Sequence, residues 1–187
     1  MTHSSKTAID RQAQNAQALA AFGIVRSNGG TAPCLRSVHE GSGPTVFTVG
    51  YERRNGEDLI ASLLNAGVEV LVDVRQKAMS RKPDFRGRAL QALCEEAGVT
   101  YAAMPELGST EAQRARLKDT GDFTTFRKRF RDYAKRSKQA PLEKLGQLAV
   151  GQPIALLCYE RSHEECHRSI LADLLVEKID ATVVAIT

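Results

Sequence analysis

The stretch Val68-Glu69-Val70-Leu71-Val72-Asp73-Val74 constrains this chain more than any other. Its apolar residues are nearly all β-branched and nearly continuous. A half-exposed strand alternates apolar with polar residues; a nearly continuous apolar run of this length is the pattern of a strand covered on both faces, as in a parallel sheet. Parallel strands cannot be joined by hairpins, so each needs a long crossover, usually a helix. The flanking sequence supplies them.

Before the run, Thr45–Gly50 reads as a short apolar strand and Tyr51-Glu52-Arg53-Arg54 as a polar turn. Asn55 is placed to cap a helix whose apolar residues Leu59, Ile60, Leu63 and Leu64 share one face, and Gly67 closes it. Strand, helix and strand within about thirty residues make a βαβ unit, which is right-handed almost without exception. The unit repeats after a basic loop, Arg75–Gly87. A helix over Arg88–Ala97 carries Leu90, Leu93 and Cys94, Gly98 ends it, and a third strand covers Val99–Met104. Cys94 reads as a core thiol.

Residues 109–151 interrupt the rhythm with a charged stretch and two helical patterns. Phe123, Phe126, Phe130 and Tyr133 recur at helical spacing, and Leu142, Leu145 and Leu148 mark a shorter helix over Pro141–Val150. Pro153–Cys158 is a fourth strand, His163–Ile179 the last long helix and Thr182–Ile186 a fifth strand. These elements predict an α/β fold: an open, doubly wound, mainly parallel sheet of about five strands with helices on both faces. It is Rossmann-like, with a helical insertion before the fourth strand. The single α/β domain spans residues 45–187. Residues 1–44 read as an N-terminal extension and linker: either a poorly ordered tail, or a helix over Thr7–Phe22 that packs on the domain or on a second copy, which leaves a homodimer open. Ser27–Pro44, crowded with Gly, Ser and Pro, reads as the linker, and Cys34 in it as incidental.

Composition narrows the function. No run approaches the roughly 18 apolar residues that span a membrane, and the N-terminus lacks the apolar segment of a signal peptide. The four cysteines among 187 residues are too sparse for a disulfide framework, which points to a reducing cytoplasm. No Gly-x-Gly-x-x-Gly or phosphate-loop motif occurs, and the spacing of zinc ligands is not met, so neither cofactor nor metal is expected.

Ligands of such sheets bind outside the carboxyl ends of the strands, where strand order reverses. Those ends carry Gly50, Tyr51, Glu52 and Arg53; Asp73 and Arg75; Glu106 and Gly108; and Cys158 and Glu160. They converge if the first strand lies between the second and the fourth. Asp73 reads either as one half of an ion pair holding a loop or as a carboxylate orienting a base or ligand. Ser162 and Glu165 fit a capping box, which places Cys166, His167 and Arg168 in the first turns of the last helix. There the helix field favours an anion and a thiolate. His167 shares a face with Ile170, Leu171 and Leu174 and points toward the sheet. Glu164 stands where a tyrosine phosphatase needs an arginine, which excludes that activity. Basic residues gather in loop 75–88 (Arg75, Lys77, Arg81, Lys82, Arg86, Arg88) and in segment 127–138 (Arg127, Lys128, Arg129, Arg131, Lys135, Arg136, Lys138). Such patches can follow a phosphate backbone or simply be solvated.

Five blocks stand in order: Thr-Val-Gly-Tyr from Thr48, Val-Leu-Val-Asp-Val-Arg from Val70, Ser-Arg-Lys-Pro-Asp-Phe from Ser80, Met-Pro-Glu-Leu-Gly from Met104, and Leu-Leu-Cys-Tyr-Glu with Cys-His-Arg-Ser between Leu156 and Ser169. Together, over about Thr45–Thr187, they resemble the domain-of-unknown-function family DUF488. The chain departs at Gly50-Tyr51, where the family usually has Gly-His. The resemblance implies an α/β fold and a shared site made of Asp73, Arg75, Ser80, Arg81, Glu106, Cys158, Glu160, Cys166, His167 and Arg168.

Three readings follow. In the leading one the site binds a nucleotide or nucleic acid and processes it hydrolytically. Arg75, Arg81 and Arg168 hold anionic groups, with Ser80, Glu106 and Cys158 beside them as ligand-binding residues. Asp73, Glu160 and His167 act on protons, and Cys166 is an auxiliary or nucleophilic group. The alternatives are a thiol-based redox enzyme or sensor using Cys158 and Cys166, and a non-catalytic interaction module.

Overall fold

The computed structural model describes residues 34–187, so the helix expected over residues 7–22 lies outside the described residues. The chain forms a mixed α/β fold around a six-stranded, mostly parallel sheet. Its elements in order are strand β1 (Leu35–His39), β2 (Thr45–Gly50), helix α1 (Gly56–Asn65), β3 (Val70–Asp73), α2 (Gly87–Glu96), β4 (Thr100–Ala103), α3 (Glu111–Thr120), α4 (Phe123–Ser137), α5 (Gln139–Gly151), β5 (Ile154–Cys158), α6 (His167–Ile179) and β6 (Thr182–Ile186). Short 3₁₀ turns at Pro83–Phe85 and Pro105–Leu107 precede α2 and α3. No helix among the described residues is long and apolar enough to cross a membrane.

The strands lie in the order β1-β6-β2-β5-β3-β4. Every pairing is parallel except β1 with β6. This corrects the sequence reading at residues 35–39, which, assigned to the linker, form a sixth strand at the sheet edge. The middle place among the three strands whose ends were to converge is taken by β5, which lies between β2 and β3. Ile154–Cys158 is buried at every position, so a central place satisfies it.

Alternate residues of the strands face opposite helical layers. Ile154 and Leu156 of β5, with Val70 and Val72 of β3, meet Phe130, Leu145, Ile170 and Leu171 of α4, α5 and α6. Ala155, Leu157 and Leu71 meet Leu59, Ile60, Leu63 and Leu90 of α1 and α2 on the other side. The two layers divide the site residues: Cys158 has the parity of Leu156 and faces α6, whereas Asp73 has the parity of Leu71 and faces α2.

Several local signals act as expected. Asn55 Oδ1 accepts from Asp58 N at 2.7 Å, Asp58 Oδ2 accepts from Asn55 N, and the box starts α1. Gly67, at φ 72°, turns the chain out of the helix in the left-handed region that side chains avoid. The aromatic stripe of α4 buries Phe126 and Phe130. The helix α3 was not expected as an element. It buries no residue, so it leaves no amphipathic trace, and it is set by a Thr110–Gln113 capping box.

Candidate functional site

The segment from β5 to α6 is shaped by long-range anchors. Gly50, at the end of β2, lies so close beneath it that a Cβ there would sit 1.9 Å from Glu160 O. Tyr51 N donates to Cys158 O at 3.2 Å and Glu52 N to Tyr159 O at 2.9 Å. His163 Nδ1 meets Thr48 Oγ1 of β2 at 2.8 Å in a buried contact. Arg168, 1% exposed, turns back on the loop, with Nη1 donating to Glu160 O at 2.6 Å and Nη2 to Arg161 O at 3.1 Å.

These anchors overrule the capping box expected at Ser162. The loop stays open through Glu165, Ser162 Oγ donates to Glu164 Oε2, and the helix begins at His167 with Cys166 as its N-cap. Cys166 makes no side-chain cap bond; its carbonyl accepts from both Ser169 N and Ser169 Oγ.

The late start puts Cys166 and His167 against the end of β5. The Cys158 and Cys166 sulfurs lie 3.6 Å and 3.8 Å from His167 Nδ1, and the three atoms are all within 4.8 Å of one another. His167 Nε2 is 3.1 Å from Val74 O, a pure acceptor, so Nε2 carries the ring proton and Nδ1 faces the sulfurs. Phe130 of α4 packs its edge on the imidazole at 5.5 Å between centroids. All three residues are buried, as is the guanidinium of Arg168, which has only carbonyls for hydrogen-bond partners.

The electrostatics follow. Burial opposes ionisation of Cys166, but the Cys158 thiol, His167 and Arg168 outweigh it and hold Cys166 well below the usual thiol range. Cys158 is pushed up, first by its hydrogen bond to Cys166 and then by burial. His167 is raised: burial works against its charge, and the neighbouring Cys166 thiolate prevails. Glu160 rises to about 7 through burial and then the Cys166 charge, and its Oε2 is buried without a hydrogen-bond partner.

A cleft of about 270 Å³ opens over this cluster. Cys158, Glu160 and His167 line its foot, Tyr51 and Arg75 one wall, and Lys77 and Arg114 are among its other lining residues.

Asp73 and Arg75 form a separate, closed unit on the other face. Asp73 Oδ1 accepts from Arg75 N and Nε at 3.1 and 2.8 Å, and Oδ2 from Arg75 Nη2 and Tyr101 Oη at 2.6 and 2.7 Å. Arg75 Nη1 donates to Phe85 O, and its guanidinium lies 5.0 Å over the Tyr51 ring. Tyr51 in turn stacks on Phe85 at 4.3 Å. Burial alone would lower the Arg75 pKa, but the hydrogen bonds and charge of Asp73 raise it; burial and then Asp73 raise that of Tyr101. Both Asp73 oxygens are filled within this unit.

Cys158, Glu160, Cys166, His167 and Arg168 thus come together, with Arg75 on the wall of their cleft. Ser80 Oγ accepts from Lys82 N and shapes a turn, Arg81 is exposed, and Glu106 is exposed on the turn after β4; none of the three lines the cleft. Lys82 donates to Tyr51 O and Arg54 O. In segment 127–138, Arg127 pairs with Asp173, Arg131 and Lys135 with Glu177, and Lys138 donates to the carbonyls of Glu106 and Gly108. His163 went unseen in the sequence because its partner, Thr48, is 115 residues away.

The family model described as a domain of unknown function, DUF488, matches residues 56–175, a span that includes both the cluster and the Asp73–Arg75 unit. The chain belongs to the DUF488 family. No curated protein and no solved structure matches the chain. Tyr51 takes its place in this DUF488 member as the ring between Phe85 and Arg75.

Proposed function

We propose that this DUF488 protein binds a small anionic ligand with a planar ring, a nucleotide in the best-fitting case, and hydrolyses it at the foot of the cleft. The observation that carries the reading is the unpartnered, buried Oε2 of Glu160 beside the cleft over Cys158 and His167. A buried carboxyl oxygen without a donor is costly to keep. A bound ligand or water would satisfy it and receive or supply a proton.

Two further features support a nucleotide. Tyr159 is half exposed next to the site and stands edge-on to Tyr51 at 5.3 Å, offering a face to a planar base. Arg114 brings positive charge to the lining, and Lys77 adds its own, paired with Glu111 at 3.2 Å. The volume lies just under the usual range for small-molecule pockets, about 300–1,000 Å³, which favours a mononucleotide over a polymer groove. The pairing of Arg127, Arg131 and Lys135 with acids of α6 supports the same choice. In this reading Glu160 is the acid–base group, His167 holds the floor through Val74 O, and Arg75 is a rigid wall. The presence of a cleft argues against a purely non-catalytic module.

The experiment is a panel of nucleoside mono-, di- and triphosphates, with binding by calorimetry at low salt and products by chromatography. Binding and slow turnover are expected. Glu160→Gln should lower turnover by about 100-fold or more while binding persists. Absence of binding by every nucleotide, or turnover unchanged in Glu160→Gln, overturns the proposal. The proximity of the two sulfurs favours a second reading, a redox dithiol. Its signature is a Cys158–Cys166 disulfide on mild oxidation, read by mass spectrometry, that reductant reverses.

A further inference from the structure

We propose that Cys158, Cys166 and Nδ1 of His167 bind one zinc ion, or a similar soft divalent cation, at the foot of the cleft. The donor set is the first support. Two thiolates and an imidazole select zinc over the hard cations calcium and magnesium.

Geometry is the second. With bonds of about 2.3 Å to sulfur and 2.0–2.1 Å to nitrogen at tetrahedral angles, a zinc site separates sulfur from nitrogen by roughly 3.5 Å. The two sulfurs stand 3.6 and 3.8 Å from Nδ1, with all three donors within 4.8 Å of one another. Small shifts close such a set around an ion.

The third support is outside the donor set. His167 Nε2 is 3.1 Å from Val74 O, the type of contact that fixes a ligating histidine's tautomer and leaves the other nitrogen free for the metal. Here the carbonyl comes from the residue after β3 and the Cys158 sulfur from the end of β5, so two strand ends hold the ring.

Charge is the fourth. Two thiolates neutralise a divalent ion, so the occupied site adds no net charge to the buried region that also holds Arg168. The donors come from the end of β5, the N-cap of α6 and its first residue. The spacing Cys-x₇-Cys-His matches none of the short-loop zinc patterns, which is why the sequence concealed it.

Three protein ligands leave a fourth position for water or substrate, the arrangement of catalytic rather than structural zinc. Cys158 and His167 line the cleft, so that position would be reached from it, and Glu160 lines the same cleft. This role rests on the proposed hydrolytic function; the binding of the ion does not.

The test is a cobalt(II) titration of the reduced, full-length, metal-free protein. The expected result is one equivalent bound, with intense sulfur-to-cobalt charge-transfer absorption and tetrahedral visible bands, displaced by one equivalent of zinc. A Cys34→Ser variant should behave identically, since Cys34 is exposed and lies outside the donor set. Cys158→Ser and Cys166→Ser should each lose at least about 100-fold in affinity, and Glu160→Gln should keep both spectrum and stoichiometry.

Absence of the charge-transfer band in the wild-type protein, or its survival in Cys158→Ser/Cys166→Ser, overturns the proposal whatever the stability of the variants. Nucleotide hydrolysis that persists in metal-free protein that binds no cobalt would refute the site and leave the hydrolytic function standing. Cobalt binding without turnover of any nucleotide would do the reverse.

Discussion

His163 sets a measurable acid limit on the stability of this fold. Its imidazole is 5% exposed, is held by Thr48 Oγ1 of β2, and lies among Arg168 of α6, Arg36 of β1, Glu164 in its own loop and Cys166. Burial, then the positive charge of Arg168, lowers its pKa to about 4 from a usual 6.5. A histidine whose folded pKa is depressed stabilises the native state above its unfolded pKa, and that stability is lost as pH falls toward the folded value. The window therefore runs from about pH 6.5 down to about pH 4. At pH 4.5 the unfolded chain is almost fully protonated at this site and the native chain only in part. The difference amounts to about 2.5 kcal/mol relative to pH 7.5. Glu160 acts in the opposite sense over much of the same window, because its raised pKa costs stability as pH rises from 4.5 toward 7. The wild-type profile alone therefore mixes two slopes. The clean quantity is the difference between wild type and His163→Gln, measured by urea unfolding from pH 4.5 to 7.5. The variant should be less stable than wild type at pH 7.5, because glutamine does not reproduce the Thr48 contact. The gap should shrink or reverse by about 2–3 kcal/mol at pH 4.5. A gap that is constant with pH, or widens toward acid, would refute the reasoning.

The Asp73–Arg75 pair gives a second test. Its partners are 1% and 6% exposed, so Asp73→Ala should cost about 3–5 kcal/mol by leaving a buried guanidinium without its counter-charge. Replacing both with apolar residues should recover much of that loss, and urea midpoints that show a single-variant cost below about 1 kcal/mol would contradict the burial. Thiol accessibility gives a third. Burial, aided by Asp73, pushes the Cys94 thiol up to about 12, whereas Cys34 is exposed. At pH 8 in the native protein, iodoacetamide should label Cys34 on the order of 1,000-fold faster than Cys94, followed by mass spectrometry. Comparable rates would show that the face between the sheet and α2 opens.

What the sequence makes legible is what repeats locally. The apolar runs of β3 and β6, the cap at Asn55 and the stripe on α4 are patterns of two to four residues, and each forms where its pattern lies. The strand β1 was invisible because all five of its residues are exposed, so pairing with β6, and not burial, makes it a strand. At α6 a correct local signal lost to tertiary anchors: Thr48 holds His163, and Arg168 holds two loop carbonyls, so the box at Ser162 cannot close. The site was legible as a set of strand-end residues and illegible as a geometry. Sequence places Asp73 and Glu160 at one sheet edge, while the alternation of the strands sends the Asp73 ion pair to the α2 face and Cys158 to the α6 face. The two thiols and the imidazole meet only once the helix starts four residues late.

The antiparallel strand β1 does more than add a row to the sheet. Parallel strands in the middle of a sheet have both rims occupied, whereas Thr182–Ile186 would end the sheet with a bare rim of amides and carbonyls if β1 were absent. Such a rim, fringed with Val183, Val184 and Ile186, is a template for another chain. Nature's usual remedy is a short, solvated selvedge, and the five exposed residues Leu35–His39, with Arg36, Ser37 and His39 among them, form one. A version of this protein cut at residue 45, where the apolar pattern begins, would keep the cleft's strands and lose its colloidal restraint. The hem also reaches the loop between β5 and α6, where Arg36 pairs with Glu164.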